Sequence, residues 1–274
     1  MVSTAPPQVA PRTAARRVKL LKTEVSRGTA WVLRAASILV PLVAWWALSA
    51  SGVVADTFLP SPPDVWAAGL AMIESGDLPG DLLASLGRIG AGFGLAVLIS
   101  VPLGFAMGTL GWAQPLLEPV IGILRYLPAS AFIPLLIIWL GIGETSKIAL
   151  LVLGVVFFNT LMTADVVRQV PARLLEVSAI LGAGRARVAS RVVFPYALPG
   201  ILDAMRVNAA AAWNFVVVAE LIAATSGLGY RITRAQRFLQ TDRIFAILIV
   251  IGLIGLTIDI TLRLVRGRVG RWSQ

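Results

Sequence analysis

The stretch "EVSAILGAGRARVASRVVFP", residues 176–195, is compact and basic, and it interrupts a chain that is otherwise strongly apolar. Its apolar positions recur at helical spacing up to Leu181 and stop at the glycines 182 and 184, so the segment reads as helix, glycine turn, helix. On either side lie runs long enough to cross a bilayer. A loop that only joins two spans needs a few residues. A regular hairpin in that place suggests a docking surface for another protein.

The 274 residues around this stretch are 57% hydrophobic and 14% charged, too apolar for a soluble domain that must cover its core with polar surface. The expected fold is all-α: a polytopic membrane bundle of about six transmembrane helices with a cytoplasmic helical hairpin. Spans are predicted near 31–50, 87–111, 119–140, 148–165, 203–224 and 244–265. Residues 31–50 also invite a signal-peptide reading, but the run is longer than such a core and carries Trp45 and Trp46 as an interface anchor would. The acidic stretch 51–84 reads as an extracytoplasmic loop in which "LPSPPDVW" starts a short helix. In the second run, Gly90, Gly94, Gly104 and Gly108 have the four-residue spacing that lets helices approach closely in lipid.

Charge sets the expected orientation. Residues 1–30 form a basic cytoplasmic tail with Arg12, Arg16, Arg17, Lys19, Lys22 and Arg27. The hairpin region 168–200, with Arg168, Arg173, Arg185, Arg187 and Arg191, and the end of the chain, with Arg263, Arg266, Arg268 and Arg271, fall on the same side after six crossings. The domain division is thus tail 1–30, transmembrane domain 31–265 and cytoplasmic tail 266–274. The net charge of +10 follows from this topology rather than from nucleic-acid binding, since the basic residues flank the spans.

The chain has no cysteine and no histidine, which removes disulfides, thiolate nucleophiles, Cys/His zinc sites and imidazole catalysis. No metal site and no cofactor are expected. "GAGRAR" lacks the Lys-Ser/Thr end of a phosphate loop, so it is not a nucleotide-binding motif of that kind. Two other classes fit the sequence less well. A membrane-embedded enzyme lacks a metal cluster, a carboxylate pair or a nucleophile–base set. A secondary transporter acting alone fits the hydropathy but leaves the hairpin unexplained.

Ionisable residues within spans each raise a functional question. Arg34, Arg88, Asp165, Arg206 and Arg263 lie towards span ends and carry little information. Arg125 precedes the Pro128 break, and two readings stand: it faces a protein-lined path and attracts an anion, or it is paired or snorkels. Glu220 lies seven residues after Trp213 on one helix face, which points towards protein; an ion pair with an arginine and a gating role are both open. Asp259 has the same two readings. Beyond the fifth span, Arg231, Arg234 and Arg237 stand at three-residue steps in a loop expected outside, either as a solvated face or as an external basic rim that draws an anion or an acidic protein.

The spacing of Glu176, Gly182 and Pro195 resembles the coupling loop of permease subunits of type I ABC importers. Val177 and Ser178 stand where that pattern has alanines, and Val192 and Phe194 replace its isoleucine and leucine. "ADTFLPSPPDVW", "RYLPASAFIPLLIIWLGIGETSK", "AWNFVVVAELIAATSGLGYRI" and "IGLIGLTIDITLR" are similar to the nitrate/sulfonate/taurine branch of these permeases. The resemblance implies a transport subunit, not an enzyme, in the cell inner membrane with both termini cytoplasmic. It implies import of a small anion such as nitrate, a sulfonate, taurine or bicarbonate. The implied partners are a cytoplasmic ATPase dimer, a second permease copy or paralogue, an extracytoplasmic binding protein and membrane lipid. In this reading Gly182 turns the hairpin where a side chain would collide, while Glu176 favours a helix N-terminus or meets a basic group on the ATPase.

Overall fold

The computed structural model describes residues 25–270, so most of the basic tail 1–30, with Arg12 to Lys22, and Arg271 lie outside the described residues. All regular elements among the described residues are helical. Two units are compact in themselves, one ending at Asp56 and the other running from Thr57. The first holds α1 (Arg27–Ala50), which is opened by Ser26 accepting from the Thr29 N–H at 3.2 Å and is apolar around most of its circumference, as a lipid-facing span is.

The second unit contains α2 (Pro62–Glu74), α3 (Asp77–Thr109), α4 (Ala113–Leu124), α5 (Ile133–Leu140), α6 (Glu144–Arg168), α7 (Ala172–Ile180), α8 (Arg185–Val188), α9 (Phe194–Ala223), α10 (Leu228–Arg237) and α11 (Thr241–Val269). A 3₁₀ turn (Ala129–Phe132) leads into α5, and a π turn (Ala189–Val193) joins α8 to α9. Among the described residues of both units, five helices, α1 included, are long and apolar enough to cross a membrane, or six if the bent pair Ala113–Leu124 and Ala129–Leu140 is one span.

The centre of this unit is α3, α6 and α9. Helix α9 buries Ile201, Ala204, Asn208, Ala212, Val216 and Ala219, steps of three and four that mark one face. A Cβ added to Gly104 would lie 2.6 Å from Thr163 Cβ, and one added to Gly108 would meet Val167, so these two glycines set the close approach of α3 and α6. Gly90 and Gly94 have open space instead and take no part in that contact. Within this packing, Asn159 donates to Ser100 Oγ at 2.6 Å and Asn208 donates to Asn159 Oδ1 at 3.2 Å, joining the three helices by buried side-chain bonds.

Three predicted boundaries change. The span placed at 119–140 is two helices bent by 81°, because Pro128 offers no N–H and biases Leu127 away from helical backbone. The helix expected from about residue 87 begins ten residues earlier, at Asp77, since one face of its first turns, with Leu78, Asp81 and Ser85, is covered by protein. The fifth helix runs back through the π turn to Arg185, so the second arm of the hairpin and the fifth span are one continuous rod. Pro195 explains the π turn: its ring would meet the carbonyl of Arg191 in a regular α-helix, and the wider turn relieves this.

Candidate functional site

One end of the bundle carries the helical hairpin. Helix α7 forms one arm, α8 and the π turn form the other, and Gly182 makes the turn at φ +73°. A Cβ at Gly182 would meet nothing within 4 Å, so the expected collision is absent and the left-handed backbone is what calls for glycine. Glu176 is exposed and lies in the middle of α7, away from the first turn where a helix N-terminus would favour it. At the tip, Ile180 is 83% exposed and Leu181 79% exposed. Beside them Ser178, Leu181, Ala183, Arg187, Arg191 and Val192 line an open groove of about 500 Å³. Two large apolar side chains thus stand exposed at the turn, with arginines alongside.

Behind the hairpin, Asp203 meets Arg266 at 2.8 Å, while Asp259 meets Arg206 at 3.6 Å and Arg263 at 2.6 Å. The Asp203–Arg266 and Asp259–Arg206 pairs tie α9 to α11, and the Asp259–Arg263 pair lies within α11. Asp259, Arg206 and Arg263 are therefore members of one partly exposed ion-pair set.

The opposite end holds a buried polar hub. Asp77, Asp81, Ser85 and Arg88 are spaced 4, 4 and 3 along α3, so they share one face and meet α6, α9 and the start of α10. All five N–H groups of the Arg88 guanidinium are used: two on Glu144 (2.6 and 2.9 Å), one on Glu220 (2.6 Å), and two on the Ser226 carbonyl and hydroxyl (2.7 and 3.0 Å). Lys147 adds a second cation on Glu144 at 2.9 Å. Glu220, 1% exposed, also accepts from Ser85 Oγ (2.8 Å) and from the Gly229 N–H (2.9 Å). The Gly227 N–H donates to Asp81 (2.7 Å) and the Leu228 N–H to Ser85 (3.0 Å), so side chains from other helices satisfy the first turn of α10. Gly227 stands at φ +113°, and a Cβ there would strike both the Glu220 carboxylate and Arg88 Nη1.

Arg231 belongs to this hub rather than to an external rim. It is 7% exposed and bonds Asp81 at 2.5 Å and Asp77 at 3.0 Å. Burial alone would lower its guanidinium, but the two aspartates outweigh that and hold it above its ordinary value. Arg234 and Arg237 remain exposed on α10. Arg88, read from sequence as uninformative, is the centre of the network; the 4-4-3 spacing from Asp77 was the available signal. Trp213 and Glu220 are both buried.

Arg125 occupies the break between α4 and α5. It lines a cavity of about 320 Å³ with Tyr126, Ser130, Phe157, Phe158 and Phe215 among its walls. One N–H group reaches Tyr126 Oη at 3.0 Å, and the guanidinium lies 4.9 Å from the Tyr126 ring centroid.

Residues 100–271 match the family described as binding-protein-dependent transport system inner membrane component, and the chain belongs to that family. It is 38% identical over 249 residues to a probable ABC transporter permease protein of Brucella abortus strain 2308, covering 91% of this chain and 98% of that one. It is 37% identical over 244 residues to the taurine transport system permease protein TauC of Escherichia coli K12, covering 86% and 88% of the two chains. With the putative aliphatic sulfonates transport permease protein SsuC of Bacillus subtilis strain 168, identity is 36% over 239 residues, covering 86% and 85%. In fold it is similar to a chain of the inward-facing MetNI methionine ABC transporter, with TM-score 0.63 at 20% identity over 77% of this chain and all of that one. The protein is accordingly a multi-pass inner-membrane permease subunit, not an enzyme.

Proposed function

We propose that this permease subunit imports a small organic anion of the sulfonate class, with an ATPase docked on the hairpin at 172–193 and a loaded binding protein received at the opposite end. The exposed hairpin carries the reading. Ile180 and Leu181 offer apolar anchors to a partner, Glu176 and the arginines flank them, and the second arm runs without a break into α9. A push on the hairpin therefore moves a helix whose other end bears Glu220. The relatives named for taurine and aliphatic sulfonates support the choice of substrate. A second copy of the chain or a paralogue completes the path, and both termini lie on the ATPase side.

Two labels test the orientation, since the chain has no native cysteine. Ile180→Cys should react only from the cytoplasm and Gln236→Cys only from outside; the reverse pattern would refute the assignment. Co-expressed with the ATPase and binding protein, the parental chain should support uptake of radiolabelled butanesulfonate or taurine. Gly182→Trp and Ile180→Asp should abolish co-purification of the ATPase while the permease itself stays monodisperse. Undiminished co-purification in both variants would remove the hairpin from the docking account.

A further inference from the structure

The cavity at the break of the third span has features that the hairpin and the hub do not use. It lies beside Leu153 to Phe158, the middle of α6, and so at half the depth of that span. Non-helical backbone at such depth is tolerated where it is buried in protein or lines a cavity, not where it faces lipid. Arg125 stands at this opening, and among the described residues no acidic side chain lies within salt-bridge distance of it. Its Nε is shielded from solvent and makes no hydrogen bond among the described residues. A guanidinium so placed is a donor awaiting an acceptor. Phe157, Phe158 and Phe215 also line the cavity, with Ser130 supplying a hydroxyl. At about 320 Å³ the space lies at the small end of ligand sites, which run from about 300 to 1,000 Å³.

We infer that this cavity is an intramembrane site for an organic sulfonate, in which Arg125 binds the anionic head and the three phenylalanines hold an apolar tail. Sulfonate oxygens accept two terminal Nη–H groups side by side, a geometry that a guanidinium presents and an ammonium does not. No carboxylate lines the cavity, so the ammonium of a zwitterion would enter without a counter-charge. The site therefore favours an alkanesulfonate over taurine. This inference rests on the importer reading above and narrows its substrate.

The test is equilibrium binding of radiolabelled butanesulfonate to the permease–ATPase complex in lipid nanodiscs, without binding protein, with taurine as competitor. Saturable binding is expected, with taurine at least about tenfold weaker. Arg125→Gln should raise the Kd about ten- to hundredfold, as loss of a hydrogen bond to a charged group does. Arg125→Lys should fall between the two. Ser130→Trp, a change at an exposed wall position, should block the cavity while leaving Arg125 in place. Absence of saturable binding in the parental complex, or a parental Kd in both Arg125→Gln and Ser130→Trp, overturns the site. Failure of the parental importer to take up any sulfonate with its binding protein would instead overturn the substrate reading. Normal uptake together with unaltered variant binding removes the cavity alone.

Discussion

Replacing Glu220 by Gln preserves volume and removes one charge from the hub. Within the hub Arg231 has Asp77 and Asp81, while Arg88 and Lys147 share Glu144 and Glu220; the substitution leaves these two cations, each only 5% exposed, on Glu144 alone. The amide can no longer accept at both oxygens. In one orientation its NH₂ faces Arg88 Nη1, a donor now held at 2.6 Å; in the other it faces the Gly229 N–H, held at 2.9 Å. Breaking a buried pair in this way costs about 3–5 kcal/mol. Against a total stability of about 5–15 kcal/mol this is a large fraction. At about 2–4 °C per kcal/mol for a chain somewhat smaller than this one, the midpoint of thermal unfolding should fall by about 6–20 °C. The assay is heating in nanodiscs followed by size-exclusion of the surviving fraction. Removing both charges, Arg88→Met with Glu220→Met, should cost less than the sum of the single changes, because neither partner is left buried alone and Glu144 keeps Lys147. A shift below about 2 °C for Glu220→Gln, or strict additivity in the double variant, would refute the view of the hub as a mutually dependent charge set.

The glycine contact of α3 on α6 makes a second claim. Gly104→Leu should lower the same midpoint through overpacking of about 1–3 kcal/mol against the Thr160 carbonyl and Thr163, whereas Gly90→Ala, with open space around it inside the helix, should not lower it. The arginines of α10 divide by role. Arg231→Gln should destabilise the fold with little salt dependence, since its pair with Asp81 is buried. Arg234→Gln with Arg237→Gln should leave the melting midpoint in place and weaken capture of the loaded binding protein, more so at low salt, in a surface-binding assay; equal capture at every ionic strength would reduce them to a solvated face.

What the sequence determined was set by local chemistry and by the solvent. Apolar runs of bilayer length, a lack of cysteine and histidine, and arginines gathered at span ends define a helical membrane protein without thiol or imidazole chemistry. The hairpin was equally legible, because helical periodicity ending at Gly182 is a feature of consecutive residues. The proline at 128 announced a break, though not an angle of 81°. The hub was not legible, because its members lie up to 154 residues apart and each alone is ambiguous. Asp77 and Asp81 look like loop acids, Arg88 like a span-end arginine and Arg231 like one more exposed cation. Only when α3, α6, α9 and α10 pack do these side chains lose water together. Burial then makes an unpaired charge so costly that each must find its partner, and that shared desolvation, a property of the tertiary arrangement, turns surface-like residues into the best-connected part of the core.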